Sequence, residues 1–434
     1  MTAGFSKLCI SPRESLPLCG FGARNGLSAG IHDDIYVRAL FLEAGGNAAL
    51  LMSADLIALS QSFVEPVRNS ISARTGIRPE AILMACTHTH AAPVTFTVFA
   101  HPHLSADPAY LEQLVRAFED CAATACERRF TARIGIGNGK VQDLGRNRRT
   151  ADGLPVDEAV GIVRVDDSEG RTKVIAVNYA CHPTVLGPDN LLVSGDFPAS
   201  TVQRIEDALG TGSMAMFING AQGNIGPGHS AELSAIGVIA PGRTFARAEE
   251  LGTKLATAAL EFWPRIQTDT DTAIGALIAK VRLPRKPLPS PAAAEQMLLD
   301  AQKRLNDIKQ KDSPEFREAS SAALYASITR YYAGQVSANE ASEIPVELQG
   351  IRIGNTTWIA VPAEVFVEIG LRLKHEARRP TFLAGVANGY IGYFPCRSAF
   401  PAGGYEVAAA QVGPEAEDLF LQSALALEEN LHAA

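Results

Sequence analysis

The stretch Ala81-Ile82-Leu83-Met84-Ala85-Cys86-Thr87-His88-Thr89-His90 shows how this chain is built, because an apolar run of strand length passes directly into two closely spaced histidines. The end of a buried strand holds side chains rigidly, while the loop that follows stays open to solvent and substrate. Two imidazoles at such a point suit a metal site or proton transfer. Taken alone, the pair is also compatible with purely structural histidines, so the rest of the chain has to decide.

The same arrangement recurs along the chain, since four further apolar runs each end in residues capable of chemistry. These are Val174–Ala180 before Cys181-His182-Pro183-Thr184, Met214–Ile218 before Asn219-Gly220-Ala221-Gln222-Gly223-Asn224, Trp358–Val361 before Pro362-Ala363-Glu364, and Phe382–Ala387 before Asn388-Gly389-Tyr390-Ile391-Gly392-Tyr393. Ligands of α/β proteins gather where the carboxyl ends of strands open into loops. The five clusters therefore predict one shared site.

Strand-like and helix-like patterns alternate throughout the chain, which predicts an α/β fold with a mixed β-sheet core flanked by helices. Strands are expected at 36–42, 48–53, 81–86, 132–136, 159–165, 173–180, 214–218, 274–282, 346–353, 357–361 and 381–386. Helices are expected at 63–74, 108–128, 198–209, 242–262, 365–378 and 416–431. The helix at 198–209 is expected to open on Pro198.

The segment 285–343 differs from its surroundings because it is polar and helix-prone. Two helices are expected within it, at 291–309 and 314–333, each beginning on a proline. We interpret this segment as a helical insertion that serves as a spacer or a lid. No clean boundary divides the chain, so residues 1–434 are expected to form a single catalytic domain.

Composition excludes several classes of protein. The chain has 434 residues, a net charge of −8 and no basic block, which argues against nucleic-acid binding. No apolar run reaches the roughly 18 residues of a membrane helix, and no secretory signal is visible. Seven scattered cysteines fit reduced thiols, so a cytoplasmic location is expected. Oligomeric state stays open, with a homodimer as one expectation.

Three of the strand-end residues, His88, His182 and Glu364, form a set of the kind that binds catalytic zinc, with two imidazole nitrogens, one carboxylate and room for water. Their wide separation in sequence leaves an alternative for each residue. His182 could simply end a strand, and Glu364 could be stabilised by the dipole of the helix that it is expected to begin.

Several runs in their order and spacing resemble the motifs of neutral/alkaline ceramidases. The runs are Ser53-Ala54-Asp55-Leu56, Thr87-His88-Thr89-His90-Ala91-Ala92-Pro93, Asn147-Arg148, Cys181-His182-Pro183-Thr184, Asn219-Gly220-Ala221-Gln222-Gly223-Asn224, Pro362-Ala363-Glu364, Gly392-Tyr393 and Gly404-Tyr405-Glu406. The resemblance spans roughly residues 5 to 410.

This resemblance implies a zinc-dependent hydrolase that cleaves the amide between a fatty acid and a sphingoid base. It implies one zinc ion per chain, held by His88, His182, Glu364 and Tyr393. It places His90, Arg148 and Tyr405 at the scissile amide, with His90 as the proton shuttle. Asn219, Gln222 and Gly226 are expected to contact the substrate, and Asp55 and Asp196 are candidates for orienting a ligand histidine.

Three departures from the family pattern bear on the substrate. Gly226 stands where the family has a serine that contacts the reacting group, and Ala91-Ala92-Pro93-Val94-Thr95-Phe96 replaces a glycine-rich loop. The C-terminal β-domain of the large secreted enzymes is expected to be absent. We therefore expect a smaller or more polar amide than ceramide. A zinc-dependent esterase or lactonase, and a ligand-binding homologue without catalysis, stay open as alternatives.

Overall fold

Two β-sheets packed face to face form the centre of the molecule, as seen in a computed structural model that describes residues 1–97, 99, 104–311, 313–336 and 342–433. The strands are β1 (Thr2–Cys9), β2 (Gly30–Ile31), β3 (Tyr36–Ala44), β4 (Asn47–Ala54), β5 (Ile82–Cys86), β6 (Phe130–Lys140), β7 (Arg146–Asn147), β8 (Ala159–Asp167), β9 (Thr172–Tyr179), β10 (Leu192–Val193), β11 (Met214–Asn219), β12 (Ile225–Gly226), β13 (Ile274–Pro284), β14 (Glu343–Ile353), β15 (Thr356–Ala360), β16 (Glu364–Val365), β17 (Thr381–Ala384) and β18 (Tyr393–Phe394). The helices are α1 (Gln61–Thr75), α2 (Pro108–Glu127), α3 (Asp196–Leu209), α4 (Ala231–Ala235), α5 (Phe245–Phe262), α6 (Pro291–Asp307), α7 (Pro314–Gln335), α8 (Val367–Glu376), α9 (Tyr405–Ala408) and α10 (Ala416–Ala433).

The larger sheet has eight strands in the order β11-β9-β8-β6-β1-β3-β4-β5. It is mixed, because β9 with β11 and β4 with β5 are parallel pairs while its other neighbours are antiparallel. The smaller sheet has the order β13-β14-β15-β17 and is also mixed, with β15 parallel to β17. These sheets confirm the predicted fold class.

Alternation along the strands explains the layered packing. On β8, Ile162 faces the cluster that contains helices α3 and α5, whereas Val163 faces the cluster that contains Trp358 and Phe382 of the smaller sheet. Strand residues with period two point to opposite faces of a sheet, so both faces of β8 are buried. The sheets approach closely because position 161 is glycine, where a Cβ atom would lie 2.7 Å from the Phe382 ring. Helices α8 and α10 pack beside the smaller sheet.

The helical insertion leaves and rejoins the chain at one point of the smaller sheet. Strands β13 and β14 pair antiparallel along their whole length, with Pro284 opposite Glu343, and the intervening segment carries α6 and α7. Tyr332 of α7 donates a hydrogen bond to the carbonyl of Ala409 at 3.0 Å, and its ring lies against Phe99. The insertion therefore packs beside the segment that contains Tyr405.

The predicted strands and helices are all found, and the structure adds short elements that were not predicted, namely β2, β7, β10, β12, β16, β18, α4 and α9. Three further details differ. Strand β1, which pairs with β3 along its full length, was not predicted, because its sequence alternates only weakly. Helix α3 begins at Asp196, two residues before Pro198. Glu364 lies in the short strand β16, and the helix that it was expected to begin starts at Val367.

Two further findings concern the expected membrane and redox properties. Among the described helices, none combines the length and the apolar character needed to cross a bilayer. All seven cysteines are free thiols, and Cys9 is the exposed one among them.

Candidate metal centre and active site

Three histidines from two separate strand ends meet in one buried place. The ring nitrogens that His88, His90 and His182 offer all lie within 4.8 Å of one another, so this group could hold a metal ion. His88 and His90 follow β5, and His182 follows β9. Both strands belong to the larger sheet, whose fold thus brings residues almost a hundred positions apart into contact.

Glu364 completes this group from the smaller sheet's side. Its Oε2 atom lies 2.7 Å from Nε2 of His182 and 3.4 Å from Nε2 of His88. Its Oε1 atom accepts a hydrogen bond of 2.5 Å from the hydroxyl of Tyr390. Because β16 and β18 are a parallel pair with Glu364 opposite Tyr393, this short ladder also places the Tyr393 ring beside the histidines, stacked at 6.2 Å on His182.

The backbone around the histidines is strained in a way that secures their position. His88, Val386 and Asn388 have positive φ angles of 70°, 52° and 62°, a region in which a β-branched residue is an outlier. Such conformations cost on the order of 1–3 kcal/mol each and persist only where the surroundings enforce them. Here the amide of His88 donates to Leu56, and Asn388 bonds to Met84 through both its backbone and its side chain.

Backbone carbonyls orient two of the three imidazoles. Nδ1 of His88 lies 2.6 Å from the carbonyl of Ile57, and Nδ1 of His182 lies 2.7 Å from that of Gln222 and 3.0 Å from that of Ile225. A carbonyl only accepts, so each Nδ1 atom donates a proton there, and both Nε2 atoms face Glu364. Asp55 and Asp196, the sequence candidates for this orienting role, bind Arg38 and backbone amides instead.

His90 is held differently. Within the described part of the chain neither of its ring nitrogens has a hydrogen-bond partner. Its ring packs on Phe21 at 4.9 Å, and Gly20 is close enough that a Cβ atom there would lie 2.5 Å from the imidazole. Gly20 also has a φ of +104°, so glycine is required for this segment to cover His90.

Burial and charge set the protonation states of the group. Burial and the nearby Arg148 lower the pKa of His182 to about 4, outweighing Glu364. Burial and the imidazoles of His88 and His182 lower the pKa of His90 well below its usual value. Burial alone would raise the pKa of Glu364, but the two histidines lower it well below the usual range. A divalent metal requires deprotonated ligands, and the lowered pKa values of His182 and Glu364 favour those forms.

Arg148 is anchored beside the histidine group. Its Nε donates to Oε1 of Glu406 at 2.8 Å, and its Nη2 donates to the carbonyl of Gly223 at 2.9 Å and to the hydroxyl of Tyr393 at 3.0 Å. Burial would lower the pKa of Arg148, but Tyr393 and Glu406 raise it above the usual value. The guanidinium is therefore a fixed positive charge.

Two adjoining pockets open onto these residues, each with an empty volume of about 360 Å³. Both are bounded by Gly20, His90, Tyr393 and Tyr405. We call the first the apolar pocket; it is further lined by Ile57, Ala58, His88, Phe96, Phe99, Glu364 and Tyr390. We call the second the cationic pocket; it is further lined by Phe21, Arg148, Thr184, His229, Ser230, Ala231, Ser234, Ala235 and Arg243.

The structure thus brings together all seven residues expected to bind metal or act on the amide. The three expected substrate contacts lie outside the residues that line the two pockets. Asn219 accepts from the amide of Cys181 and donates to the carbonyl of Thr87, which places it beneath the histidine loops. Gln222 has a buried side chain without a partner in the described region, and Gly226 lies beside Arg148.

Sequence analysis did not assign roles to Tyr390, Glu406 or Arg243. Tyr390 and Glu406 are within or next to the motifs that contain Tyr393 and Tyr405, and this proximity was the available signal. Arg243 belongs to no motif, and only the folded chain places it at the cationic pocket.

Comparison with known proteins agrees with this geometry. The profile described as neutral/alkaline non-lysosomal ceramidase, N-terminal, matches residues 9–231. The neutral ceramidase of Pseudomonas aeruginosa is 22% identical over 480 residues, covering 95% of this chain and 70% of that protein. Neutral ceramidase 2 of Arabidopsis thaliana is 22% identical over 214 residues, covering 45% of this chain and 28% of that protein.

The fold is also shared with a solved structure. The crystal structure of the Pseudomonas aeruginosa neutral ceramidase superposes with a TM-score of 0.77 at 20% identity, covering 99% of this chain and 75% of that one. The family match extends over more than half of the chain and includes the segments that carry His88, His90, Arg148 and His182. The chain belongs to the neutral/alkaline non-lysosomal ceramidase family.

Proposed function

We propose that this protein is a zinc-dependent hydrolase that cleaves a linear amide, with one zinc ion per chain held by His88, His182, Glu364 and Tyr393. The observation that carries the proposal is the buried meeting of two imidazole Nε2 atoms and a carboxylate, with both imidazoles oriented by carbonyls. Nitrogen and oxygen donors in this combination suit zinc. Bound there, the metal would supply Lewis-acid polarisation and an activated water at neutral pH.

The orientation of the rings separates ligands from the proton shuttle. Histidines that bind a metal almost always donate their other ring N–H to a carbonyl or carboxylate. His88 and His182 do so, whereas His90 does not. We therefore assign His88 and His182 to the metal, and we assign His90 to proton transfer toward the leaving nitrogen. Its neutral imidazole can accept a proton and then release it.

Arg148 and Tyr405 are assigned to the developing negative charge on the carbonyl oxygen. Arg148 is held by Glu406 and Gly223 before any substrate arrives, which is the preorganisation that such stabilisation needs. The Tyr405 hydroxyl bonds to no described residue and borders both pockets, so it is free to donate to a substrate. Arg148 also donates a hydrogen bond to the Tyr393 hydroxyl, so its guanidinium directly contacts one of the proposed metal ligands.

The lining of the cationic pocket supports a substrate smaller or more polar than ceramide, because Arg148, Ser230 and Arg243 offer it polar groups. Gly226 contributes space beside Arg148, and we assign Asn219 and Gln222 to supporting the histidine loops.

Metal content and turnover, measured together, test the proposal. Wild type is expected to contain one zinc per chain by plasma mass spectrometry and to release acid from N-acyl amines. His88→Asn is expected to lose both metal and activity. His90→Asn is expected to keep the metal while turnover falls about 10²- to 10⁴-fold. His375→Asn, on the exposed end of α8, is the matched control and should retain both.

Two outcomes would contradict parts of this proposal. Loss of zinc in His90→Asn together with retention in Glu364→Gln would indicate a site of three histidines. Hydrolysis of a long-chain ceramide with a kcat/KM equal to that for short N-acyl amines would overturn the small substrate. Faster cleavage of the matched esters than of the amides would favour an esterase.

A further inference from the structure

The cationic pocket has a polar wall with positive charge and no carboxylate among its described lining residues. Arg148 on this wall forms an ion pair with Glu406. Arg243 is the second guanidinium on the wall. His229 adds a neutral imidazole, because burial and the charges of Arg243 and Arg247 lower its pKa to about 4. Arg243 is therefore the cation of this wall that has no ion pair with a described residue.

Arg243 has only uncharged partners. Its Nη1 donates to the carbonyls of Thr184 at 3.4 Å and Leu186 at 3.2 Å, and its Nη2 donates to the hydroxyl of Ser234. Its Nε is buried and has no partner in the described part of the molecule. The guanidinium also lies over the Phe21 ring, 5.6 Å from its centroid.

Arg24 is a second cation that lies over the Phe21 ring and forms no ion pair with a described residue. Its guanidinium lies 5.1 Å from the Phe21 centroid and donates to the carbonyls of Cys19 and Gly187. Its Nε is likewise buried without a described partner. Burial lowers the pKa of Arg24 to about 10, with Cys19 and Asp189 opposing that shift only in part.

Other buried arginines of this chain have direct acidic partners. The ion pairs are Arg38 with Asp55 at 2.7 Å, Arg68 with Glu347 at 2.7 Å, and Arg148 with Glu406 at 2.8 Å. Arg24 and Arg243 form no ion pair with a described residue, although Asp189, from a distance, opposes the lowering of both pKa values by burial. The acids that influence Arg243 from a distance are Asp189, which is exposed, and Asp196, whose oxygens accept from the amides of Leu186 and Phe197.

A cation that is largely removed from water and has no direct acidic partner is costly, and a bound anion reduces that cost. We propose that the cationic pocket binds a carboxylate on the leaving-group side of the substrate, so that the substrates are N-acyl amino acids. This inference rests on the proposed amide hydrolysis. The apolar pocket then holds the acyl chain, and the scissile amide lies at His90, Tyr393 and Tyr405, which border both pockets.

The reaction balances without any further reactant. The oxygen of one water bonds to the acyl carbon and the C–N bond breaks. One proton of that water goes to the leaving nitrogen and the other is released as the acid ionises. The products are a carboxylate and an amino acid, whose own carboxylate stays at Arg243 until release.

Paired substrates test the inference. N-butanoyl-alanine and its neutral carboxamide differ only in the charge at the proposed subsite, and butanoate release can be followed by chromatography. Wild type is expected to prefer the acid by about 10- to 100-fold in kcat/KM, the value of a charge-assisted hydrogen bond. Arg243→Gln should reduce that preference below about threefold, while the control Arg204→Gln, exposed on α3 and outside the lining of the cationic pocket, should retain it.

A second variant at Arg243 and two further measurements complete the test. If Arg243→Gln does not fold, Arg243→Lys keeps the charge but not the planar fork, and should retain part of the preference. Equal kcat/KM for acid and carboxamide in wild type overturns the carboxylate subsite while leaving amide hydrolysis intact. Calorimetric binding of N-butanoyl-alanine to His90→Asn, lost on adding Arg243→Gln, supports the subsite even if wild type cleaves no amide. In that case the proposed amide hydrolysis fails, and the carboxylate subsite alone is supported.

Discussion

Gly226 is expected, from the resemblance to ceramidases, to stand where that family has a serine. A Cβ atom there would lie 3.7 Å from Cδ of Arg148 and 3.8 Å from the carbonyl oxygen of His229, which is ordinary contact distance. Gly226→Ser should therefore change the free energy of unfolding by no more than about 0.5 kcal/mol in urea titrations. Its hydroxyl would lie beside Arg148, so kcat/KM for short-chain ceramide should rise relative to kcat/KM for short N-acyl amines.

The matched control for this substitution is Gly145→Ser. A Cβ atom at Gly145 would lie 2.7 Å from the side chain of Ile225, so overpacking should destabilise that variant by about 1–3 kcal/mol. If Gly226→Ser is destabilised as strongly as this control, the space inferred beside Arg148 does not exist.

Glu406 is the residue on which the fixed charge of Arg148 depends. It is 5% exposed at its side chain and pairs with both Arg148 and Arg149. Glu406→Gln leaves two buried guanidiniums without a counter-ion and should cost about 3 kcal/mol at pH 7. Urea unfolding monitored by circular dichroism measures this loss, and the same change at exposed Glu376 should cost little.

Stability should also depend on pH through this residue. Burial would raise the pKa of Glu406, but Arg148 and Arg149 lower it below 4.5. A carboxyl whose pKa is depressed in the folded state contributes stability above its unfolded pKa and loses that contribution as the pH falls through the folded value. The difference between wild type and Glu406→Gln should therefore shrink below about pH 4.5. A difference independent of pH from 3 to 7 would show that packing, not charge, is responsible.

Single residues were predictable where a strand end carried a reactive side chain. His88, His182 and Glu364 could be found this way, because strand periodicity and motif order are both local. Arg243 could not, since its role depends on the absence of an acid near it in space. A sequence pattern cannot show that an arginine lacks an acidic neighbour in the folded chain.

At the scale of elements, strand β16 holds Glu364 in place, and it packs on Gly223. The amide of Gly223 donates to the carbonyl of Val365, and a Cβ atom at position 223 would lie 2.4 Å from the carbonyl oxygen of Glu364. Gly223→Ala must therefore displace β16. We expect a loss of about 1–3 kcal/mol in stability and a fall in zinc affinity of about 10- to 100-fold, measured by competition with a chelator.

Gly334 in helix α7 provides the matched control. Apart from its own helix turn, no described residue comes within 4 Å of its Cβ position, so Gly334→Ala should instead stabilise the protein by about 0.5–1 kcal/mol without altering metal affinity. If both alanine variants bind zinc like wild type, β16 does not set the position of the ligand.

The sequence predicted all the long elements except β1, and it predicted none of the two-residue strands. Helices α6 and α7 begin at Pro291 and Pro314, as the sequence predicted, because proline at a first helical position is a local signal. The two-residue strands β16 and β18 have no detectable period, since each exists only through its pairing with the other. Strand β1 was not predicted, because its sequence alternates only weakly and its pairing with β3 defines it.

At the scale of the whole molecule, the proposed zinc site connects the two sheets. His88 and His182 extend from the larger sheet, and Glu364 follows β15 of the smaller one. A metal that binds only the folded chain stabilises it by about 2.7 kcal/mol at a free concentration one hundred times Kd. Chelation should lower the urea midpoint of wild type accordingly, and added zinc should restore it.

The control for this prediction is His88→Asn. Its urea midpoint should not respond to chelator or to zinc, because one of the ligands from the larger sheet is missing. An equal response of wild type and His88→Asn would mean that zinc acts elsewhere on the chain.

The sequence by itself determined the fold class, the order of long elements and the residue types of the metal centre. Periodicity, proline positions and strand-end motifs are properties of neighbouring residues, and they need no tertiary contact to be recognised. Only the tertiary structure decided that carbonyls orient the rings of His88 and His182 and that Glu364 lies beside both rings. It also decided that Arg24 and Arg243 lie over the Phe21 ring and form no ion pair with a described residue. These are distances between residues far apart in the chain, and packing of the two sheets sets them.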